Sequence, residues 1–485
     1  MESGLKRAVP AILATALLHW FSDGLHPLWP LAWLAPLPIL WLAGQVSPGK
    51  AAGAGFIAWF AGAFTAWHYF HGTLHMPVPI AVVIFAATSL APALAAALFS
   101  GLMRRGAVWL AMVGVPALWV SGEYLYSHLS VHGTNGLLAY SQLDFLPALQ
   151  MAALTGPWGI TFMLVLTSAA LAVGVSRRAW RVAGTGLAVV VLALIYGQVR
   201  LSQPQPGEPV KVGLIASDLK ENQGVQDPGD PAARLFTDYA REAAALAQQG
   251  VQVVVLPENM AVVLRPGDDQ AFQDFADSTG VHLVAGMLHV DTATGKKYNE
   301  ARLYSPHEPP IAYDKEHLLP PFESPFTPGA QLAMLKKAVG FWGVAICKDM
   351  DFTDPASLYG TAGTGLLLVP AWDFTEDAWQ HGHIAIMRAV EDGFALVRTA
   401  RGGFLTVADD RGRVLAETTS WSAPYASLVA TVPSGHEQTL YLRLGDWFAW
   451  AAIALLALSV GRLCLYRVRS DRAADLVAGL DQGAR

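Results

Sequence analysis

Three residues that could share one reaction stand at the ends of three extended runs: Glu258 after Val253-Val254-Val255-Leu256-Pro257, Lys315 after Tyr313-Asp314, and Cys347 after Val344-Ala345-Ile346. Apolar runs that stop at a polar residue read as buried strands, and sheet proteins keep reactive groups where such strands end. A thiol with a reference pKa near ~8.5 is only a few per cent ionised at neutral pH, so a nucleophilic cysteine needs a base or a cation beside it. A carboxylate in a poorly hydrated pocket can take the proton, and a lysine can hold the oxyanion that forms when sulfur attacks an acyl carbon. The chemistry open to this trio is acyl transfer through a thioester. The alternative is a core cysteine and two surface charges, and spacing alone does not choose between them.

The elements that must position these groups differ along the chain. Its 485 residues are 53% hydrophobic and only 14% charged, a balance that requires contact with lipid. The apolar excess lies before about residue 200 and again after Gly445, which divides the chain into a membrane domain of about seven helices (1–200), a mixed globular domain (201–445), a final span (446–469) and a short tail (470–485). Candidate spans run from Val9 to Phe21, Leu28 to Ala43, Ala51 to Phe70, Ile80 to Leu102, Ala107 to Leu125, Trp158 to Val175, Val182 to Val199 and Trp447 to Leu465. Lys6, Arg7, Lys50, Arg104, Arg105, Arg177, Arg178, Arg181 and Arg462 fall in alternate connections, so both termini are expected in the cytoplasm and the globular domain across the membrane, in the periplasm if the cell is bacterial. Arg467 and Arg469, at the end of the final span, and the tail after them are expected on the cytoplasmic side as well. A net charge of -6 without basic runs interleaved with aromatics points away from nucleic acid. The second cysteine, Cys464, sits in the last apolar run, too far from Cys347 in kind of environment to pair with it.

Between Pro209 and Pro433 short β-rich runs alternate with amphipathic segments, the pattern of an α/β or layered α+β domain. Strands are expected at Lys211 to Ala216, Val251 to Leu256, Val281 to Met287, Gly340 to Ile346, Gly365 to Val369 and Phe394 to Thr399. Helices are expected at Pro231 to Gln249, Asp268 to Ser278 and Glu376 to Glu391, the last with Trp379, Ile386, Met387 and Val390 inward.

The order Leu256-Pro257-Glu258, Lys315, Ile346-Cys347 resembles the Glu-Lys-Cys triad of the nitrilase superfamily, and the membrane segments resemble those of the apolipoprotein N-acyltransferase family. The likeness rests on Trp29-Pro30-Leu31-Ala32-Trp33, Pro116-Ala117-Leu118-Trp119 with Glu123, Tyr140-Ser141-Gln142, Gly156-Pro157-Trp158-Gly159 and the closing stretch Thr439 to Trp447. It implies an αββα sandwich of nitrilase type on a multi-span helical membrane domain. It also implies Glu258 as general base, Cys347 as nucleophile, Lys315 as oxyanion partner and Glu323 as a supporting glutamate. The implied reaction moves an acyl chain from a phospholipid donor to the N-terminal amine of a diacylglyceryl lipoprotein in the bacterial inner membrane, with no metal or other cofactor.

The resemblance is incomplete at three turns. Cys347-Lys348-Asp349 stands where the family commonly has Cys-Tyr-Glu, which shortens the supporting carboxylate at Asp349 and puts a second cation, Lys348, next to the thiol. Pro321-Phe322-Glu323 lacks the family's glycine, and Ala400-Arg401-Gly402-Gly403 replaces an asparagine-containing turn after Arg398. A membrane-tethered amidase using the same triad with water as acceptor, or a catalytically silent membrane scaffold, are the rival readings. His68, His71 and His75 have helical spacing but sit beside Gly72 and Pro77 and read as interfacial side chains, and His381 and His383 point to different faces of one helix.

Overall fold

The computed structural model describes the backbone of residues 2–483 and the side chains of residues 6–465. The tail expected at 470–485 lies outside the side chains described. Among the described residues five helices are long and apolar enough to cross a membrane: Val78–Arg104, Val108–Leu129, Pro157–Arg177, Trp180–Ser202 and Trp447–Leu465. In lipid a helix satisfies every backbone N–H and C=O within itself, which is why these apolar runs take that form. Ahead of them come Glu2–Ser22 and Pro48–Ala63, the latter carried on by a 3-10 turn at Phe64–Ala66 and a π turn at Tyr69–Thr73. The span expected from Leu28 to Ala43 is two short helices instead, Trp29–Ala32 and Leu37–Ala43. Pro30, Pro36 and Pro38 account for the break, since each removes an N–H donor and crowds the turn before it.

The segments singled out in the membrane half converge on one another. Glu123 accepts from the Leu138 N–H at 2.8 Å and from Thr161 Oγ1 at 2.7 Å, Gln142 Oε1 accepts from Trp33 Nε1 at 2.8 Å, and Trp158 Nε1 donates to Asp446 at 2.7 Å. The two ends of the bundle differ in charge. At one end Arg7 donates to Gln45 at 2.8 Å and Arg177 to the Met103 carbonyl at 2.7 Å, which gathers the basic connections. The opposite helix ends reach the globular domain: Tyr69 Oη donates to Asp377, Thr134 Oγ1 to the Asp351 carbonyl at 2.7 Å, and Gln150 Nε2 to the Arg411 carbonyl at 2.9 Å.

The globular domain holds thirteen strands: β1 (Pro209–Ala216), β2 (Val253–Val255), β3 (Val262–Val263), β4 (His282–Val290), β5 (Lys297–Ser305), β6 (Glu308–Asp314), β7 (Ala333–Lys336), β8 (Phe341–Val344), β9 (Thr364–Trp372), β10 (Ala395–Arg401), β11 (Phe404–Ala408), β12 (Val414–Thr419) and β13 (Ala426–Pro433). One sheet runs β13-β1-β2-β4-β5-β6 with β3 beside β4, and the other runs β12-β11-β10-β9-β8-β7. The sheets face each other across Val212, Val253, Val255, Val344, Leu366 and Val397. Helices Asp230–Ala247 and Gln270–Thr279 cover the outside of the first sheet through Leu235, Phe236 and Phe272. Helix Ala378–Asp392 covers the second, and its Ile386, Met387 and Val390 belong to the same apolar cluster as the membrane helices. The layers are therefore helix, sheet, sheet, helix, with the last helix seated on the bundle and Trp379 half-buried at its start.

The pairings β1–β2, β2–β4, β8–β9 and β9–β10 are parallel, so their carboxyl ends meet at one edge of the sandwich. Strands such as Val253–Val255, buried on both faces, need no alternation of polar residues. Residues just beyond these ends are free of the ladder and are the ones available for chemistry.

Candidate active site

Glu258 follows β2, and its N–H donates to the Ala371 carbonyl of β9 at 3.2 Å, which locks the two sheets together at this edge. The chain passes very close to β4 here. A Cβ on Gly286 would stand 2.5 Å from the Glu258 Cα, so only glycine lets the glutamate backbone lie so near. The next residue, Asn259, has φ +48°, a left-handed turn that ends the strand.

Lys315 follows β6 and is 2% exposed. Its ammonium donates to Glu258 Oε1 at 2.8 Å and to Glu323 Oε2 and Oε1 at 2.9 and 3.1 Å. Asn299, on β5, joins the same two carboxylates, its Nδ2 donating to Glu258 Oε1 at 2.6 Å and Glu323 Oε1 at 2.5 Å. Glu323 also accepts from the Leu319 N–H at 2.6 Å. Burial by itself would lower the Lys315 pKa, but Glu258, the Cys347 thiol and Glu323 outweigh it and hold the amine well above its ordinary value. A lysine so placed stays charged and cannot swing away.

Cys347 follows β8 with φ +44°, a left-handed conformation that a residue with a Cβ adopts only under constraint. The turn is held by Asp349, which is fully buried and accepts from the Ile346 N–H at 3.0 Å, the Tyr313 hydroxyl at 2.8 Å and the His317 N–H at 2.8 Å. Tyr313 and His317 flank Lys315, so one carboxylate fastens the cysteine turn to the lysine segment. The thiol is half-buried and lies 3.6 Å from the Trp372 carbonyl at the end of β9. Burial pushes its pKa well up and the Glu258 charge adds to this, while Lys315 opposes. At rest the sulfur therefore keeps its proton.

Of the six residues selected from sequence, Glu258, Lys315 and Glu323 form one hydrogen-bonded cluster and Cys347 adjoins it. Asp349 stands behind the turn and organises it. Lys348, expected beside the thiol, is placed differently. Its amine is 3.7 Å from Asp351 Oδ2 and 3.4 Å from His132 Nδ1, and it lies 4.9 Å above the Phe352 ring. The chain direction after the left-handed Cys347 turns this side chain toward the membrane-side loop, and the cations acting most on the thiol are Lys315 and Arg398. His381 completes the Lys348 cluster by bridging Asp351 at 3.6 Å and Asp377 at 3.2 Å.

Two groups had not been selected as site residues. Asn299 lies on β5, a strand that the sequence pattern did not mark, so nothing local singled it out. The Arg398 guanidinium binds Asp373 through two bonds of 2.8 and 2.6 Å, both residues buried, and props the end of β9 next to the thiol. No local signal marks that pair, because 25 residues separate its members.

A two-sheet domain with Glu, Lys and Cys at neighbouring strand ends, joined to a membrane bundle, defines a membrane-anchored protein of the carbon-nitrogen hydrolase class, and residues 230–445 match the family profile described as Carbon-nitrogen hydrolase. Residues 15–170 match that described as Apolipoprotein N-acyltransferase N-terminal domain. The apolipoprotein N-acyltransferase of Geobacter metallireducens is 30% identical over 497 residues, covering 92% of each chain, and that of Vibrio vulnificus is 25% identical over 93% of this chain and 96% of its own. The chain belongs to the apolipoprotein N-acyltransferase family. Among solved structures, Saccharomyces cerevisiae Nit3 aligns with 47% of this chain and 90% of its own at 23% identity and TM-score 0.40, and an amidase from Nesterenkonia sp. with 51% and 97% at 22% and 0.40.

Proposed function

We propose that this acyltransferase moves an acyl chain from a membrane phospholipid, through a thioester on Cys347, to the N-terminal amine of a diacylglyceryl-modified lipoprotein. The observation that carries this reading is the membership of nearly the whole chain, membrane half included, in the apolipoprotein N-acyltransferase family. The membrane half supplies what a soluble amidase lacks, a route by which lipid reaches the thiol from the side.

The geometry supports a two-step mechanism. Glu258 takes the Cys347 proton as sulfur attacks the ester carbonyl of the donor, and the new oxyanion is held by the Lys315 ammonium. Collapse breaks the ester bond, and the leaving lysophospholipid oxygen takes the proton back from Glu258. The acceptor amine then attacks the thioester, gives a proton to Glu258, and sulfur leaves and is reprotonated. Glu258 Oε1 holds both Lys315 and Asn299, which leaves Oε2 to carry the proton. Glu323 keeps the lysine in place throughout.

The domain limits 1–200, 201–445, 446–469 and 470–485, an inner-membrane location and a periplasmic catalytic domain belong to the same proposal. The gathering of basic residues at the end of the bundle away from the globular domain supports that orientation. The decisive experiment is intact-mass measurement of the purified protein after incubation with phospholipid alone. A mass increase of one acyl chain, absent in Cys347→Ser, is expected. Lysophospholipid release without any adduct, and no acyl transfer on adding a lipopeptide, would leave the hydrolase reading in its place.

A further inference from the structure

Arg401 ends β10 beside Trp372 in the parallel register of β9 and β10. It is 1% exposed, and none of Nε, Nη1 and Nη2 has a hydrogen-bonding partner in the protein. Its guanidinium lies 3.5 Å from the centroid of the Trp372 ring, and that ring is itself 47% exposed. Trp372 thus touches the catalytic thiol with its carbonyl and covers a buried cation with its side chain. Both residues line a cleft of about 560 Å³, with Phe374 and Trp421 as further apolar wall, and Trp372, whose carbonyl is 3.6 Å from the thiol, connects it to the catalytic cysteine.

None of the carboxylates in this cleft hydrogen-bonds the arginine, although the charges of Glu258 and Asp218 act on it. Asp218 is committed to the Gly402 N–H at 2.8 Å and the Ser420 hydroxyl at 2.6 Å, and Asp373 to Arg398. Glu376 is exposed on the rim, where water screens it. Nor can the arginine retreat from its place. Gly402 has φ +59°, and a Cβ there would meet the Asp373 carbonyl at 2.6 Å, so the chain beyond Arg401 is pinned against the end of β9. Burial pushes the guanidinium pKa down to about 10, opposed first by Glu258, and it remains charged at neutral pH. A buried, charged and unpartnered guanidinium is unfavourable in the free protein, and a bound anion with two oxygens would satisfy it through a bidentate pair.

We infer that Arg401, beneath the Trp372 ring, is the subsite for the phosphate group of the acyl donor. This rests on the proposed phospholipid donor and adds how its headgroup is held. A headgroup phosphate is close to the ester that the thiol attacks, and the aromatic wall of the cleft suits the apolar part of the same molecule. The ring lies over the cation and must move aside for phosphate to reach it.

The test compares two donors of the same acyl chain in detergent: a diacyl phospholipid, and the p-nitrophenyl ester, which carries no phosphate. In Arg401→Gln, KM for the phospholipid is expected to rise about 10- to 100-fold, and the preference for it over the p-nitrophenyl ester to fall by a similar factor. Arg401→Lys should recover part of the preference, since it restores charge without the second hydrogen bond. An unchanged preference in Arg401→Gln would overturn the proposal. If inorganic phosphate inhibited the parent but not Arg401→Gln while the preference stayed unchanged, the site would be one for free anion, and the headgroup assignment would be wrong. Equal loss with both donors, accompanied by a lower melting temperature, would mark Arg401 as structural and also overturn it. Failure of the donor reading shows separately, as a parent that reacts with the p-nitrophenyl ester but never forms a thioester from phospholipid, and the headgroup assignment would fall with it.

Discussion

Replacing Lys315 with methionine removes the cation that bridges Glu258 and Glu323 and keeps most of the side chain's length. Both carboxylates contact the same Asn299 Nδ2, at 2.6 and 2.5 Å, so their Oε1 atoms stand no more than about 5 Å apart. At an effective dielectric constant of about 20, two unit charges at that distance repel by about 3 kcal/mol. Removing one partner from a buried ion pair commonly destabilises by about 3–5 kcal/mol, the same scale. Lys315→Met should therefore lower thermal stability in detergent. Acylation of Cys347 should slow by about 10²–10³, the usual effect of losing an oxyanion donor. The double variant Lys315→Met/Glu323→Gln removes the repulsion without restoring the ammonium. It should recover most of the stability and none of the acylation rate, as read by melting curves and single-turnover acylation. If stability and rate recovered together, or if Lys315→Met melted and acylated like the parent, the assignment of Lys315 as oxyanion partner would be refuted.

Other consequences can be checked in the same preparations. Cys347→Ser should abolish thioester formation, because a hydroxyl is far less acidic than a thiol, while Cys464→Ser, exposed on the last helix, should acylate normally. Lys348→Met should leave the pH profile of Cys347 alkylation nearly in place, since its amine is engaged with Asp351 and His132, whereas Lys315→Met should move that profile to higher pH. A large upward shift in Lys348→Met would show that the amine acts on the thiol after all. Although burial opposes it, Asp377 and Asp351 hold the His381 pKa well above its ordinary value. Its contribution to stability is then complete below about pH 6.5 and is lost as pH rises through the raised value. His381→Gln should flatten the decline of melting temperature as pH rises above about 6.5, and an identical decline in parent and variant would exclude His381 as its source.

The strands that carry the triad were legible because each is a run of apolar residues ending at a polar one, and burial on both faces leaves no other reading for Val253–Val255 or for the run into Cys347. The five helices long and apolar enough to cross a membrane were legible for a similar reason, since lipid imposes one requirement on every residue of a segment, whereas the run from Leu28 to Ala43 is divided by its prolines into two short helices. β3, β5, β7, β11, β12 and β13 were not picked out: β3 is two residues long, β7, β12 and β13 lie at sheet edges, and β5 and β11 are interior but interleave polar with apolar residues, so they owe their form to the strands beside them. Within the site, residue types at strand ends were enough to select Glu258, Lys315 and Cys347. Where a side chain points was not determined locally. The left-handed backbone at Cys347 sends Lys348 away from the thiol, Asp349 becomes the clasp between two segments, and Arg401 is left without an anion because Asp218 and Asp373 are bound elsewhere. Each of these outcomes depends on groups tens of residues or more away in sequence. Electrostatic partnership is settled by distances of a few ångströms, and only the packing of the two sheets on the membrane bundle sets those.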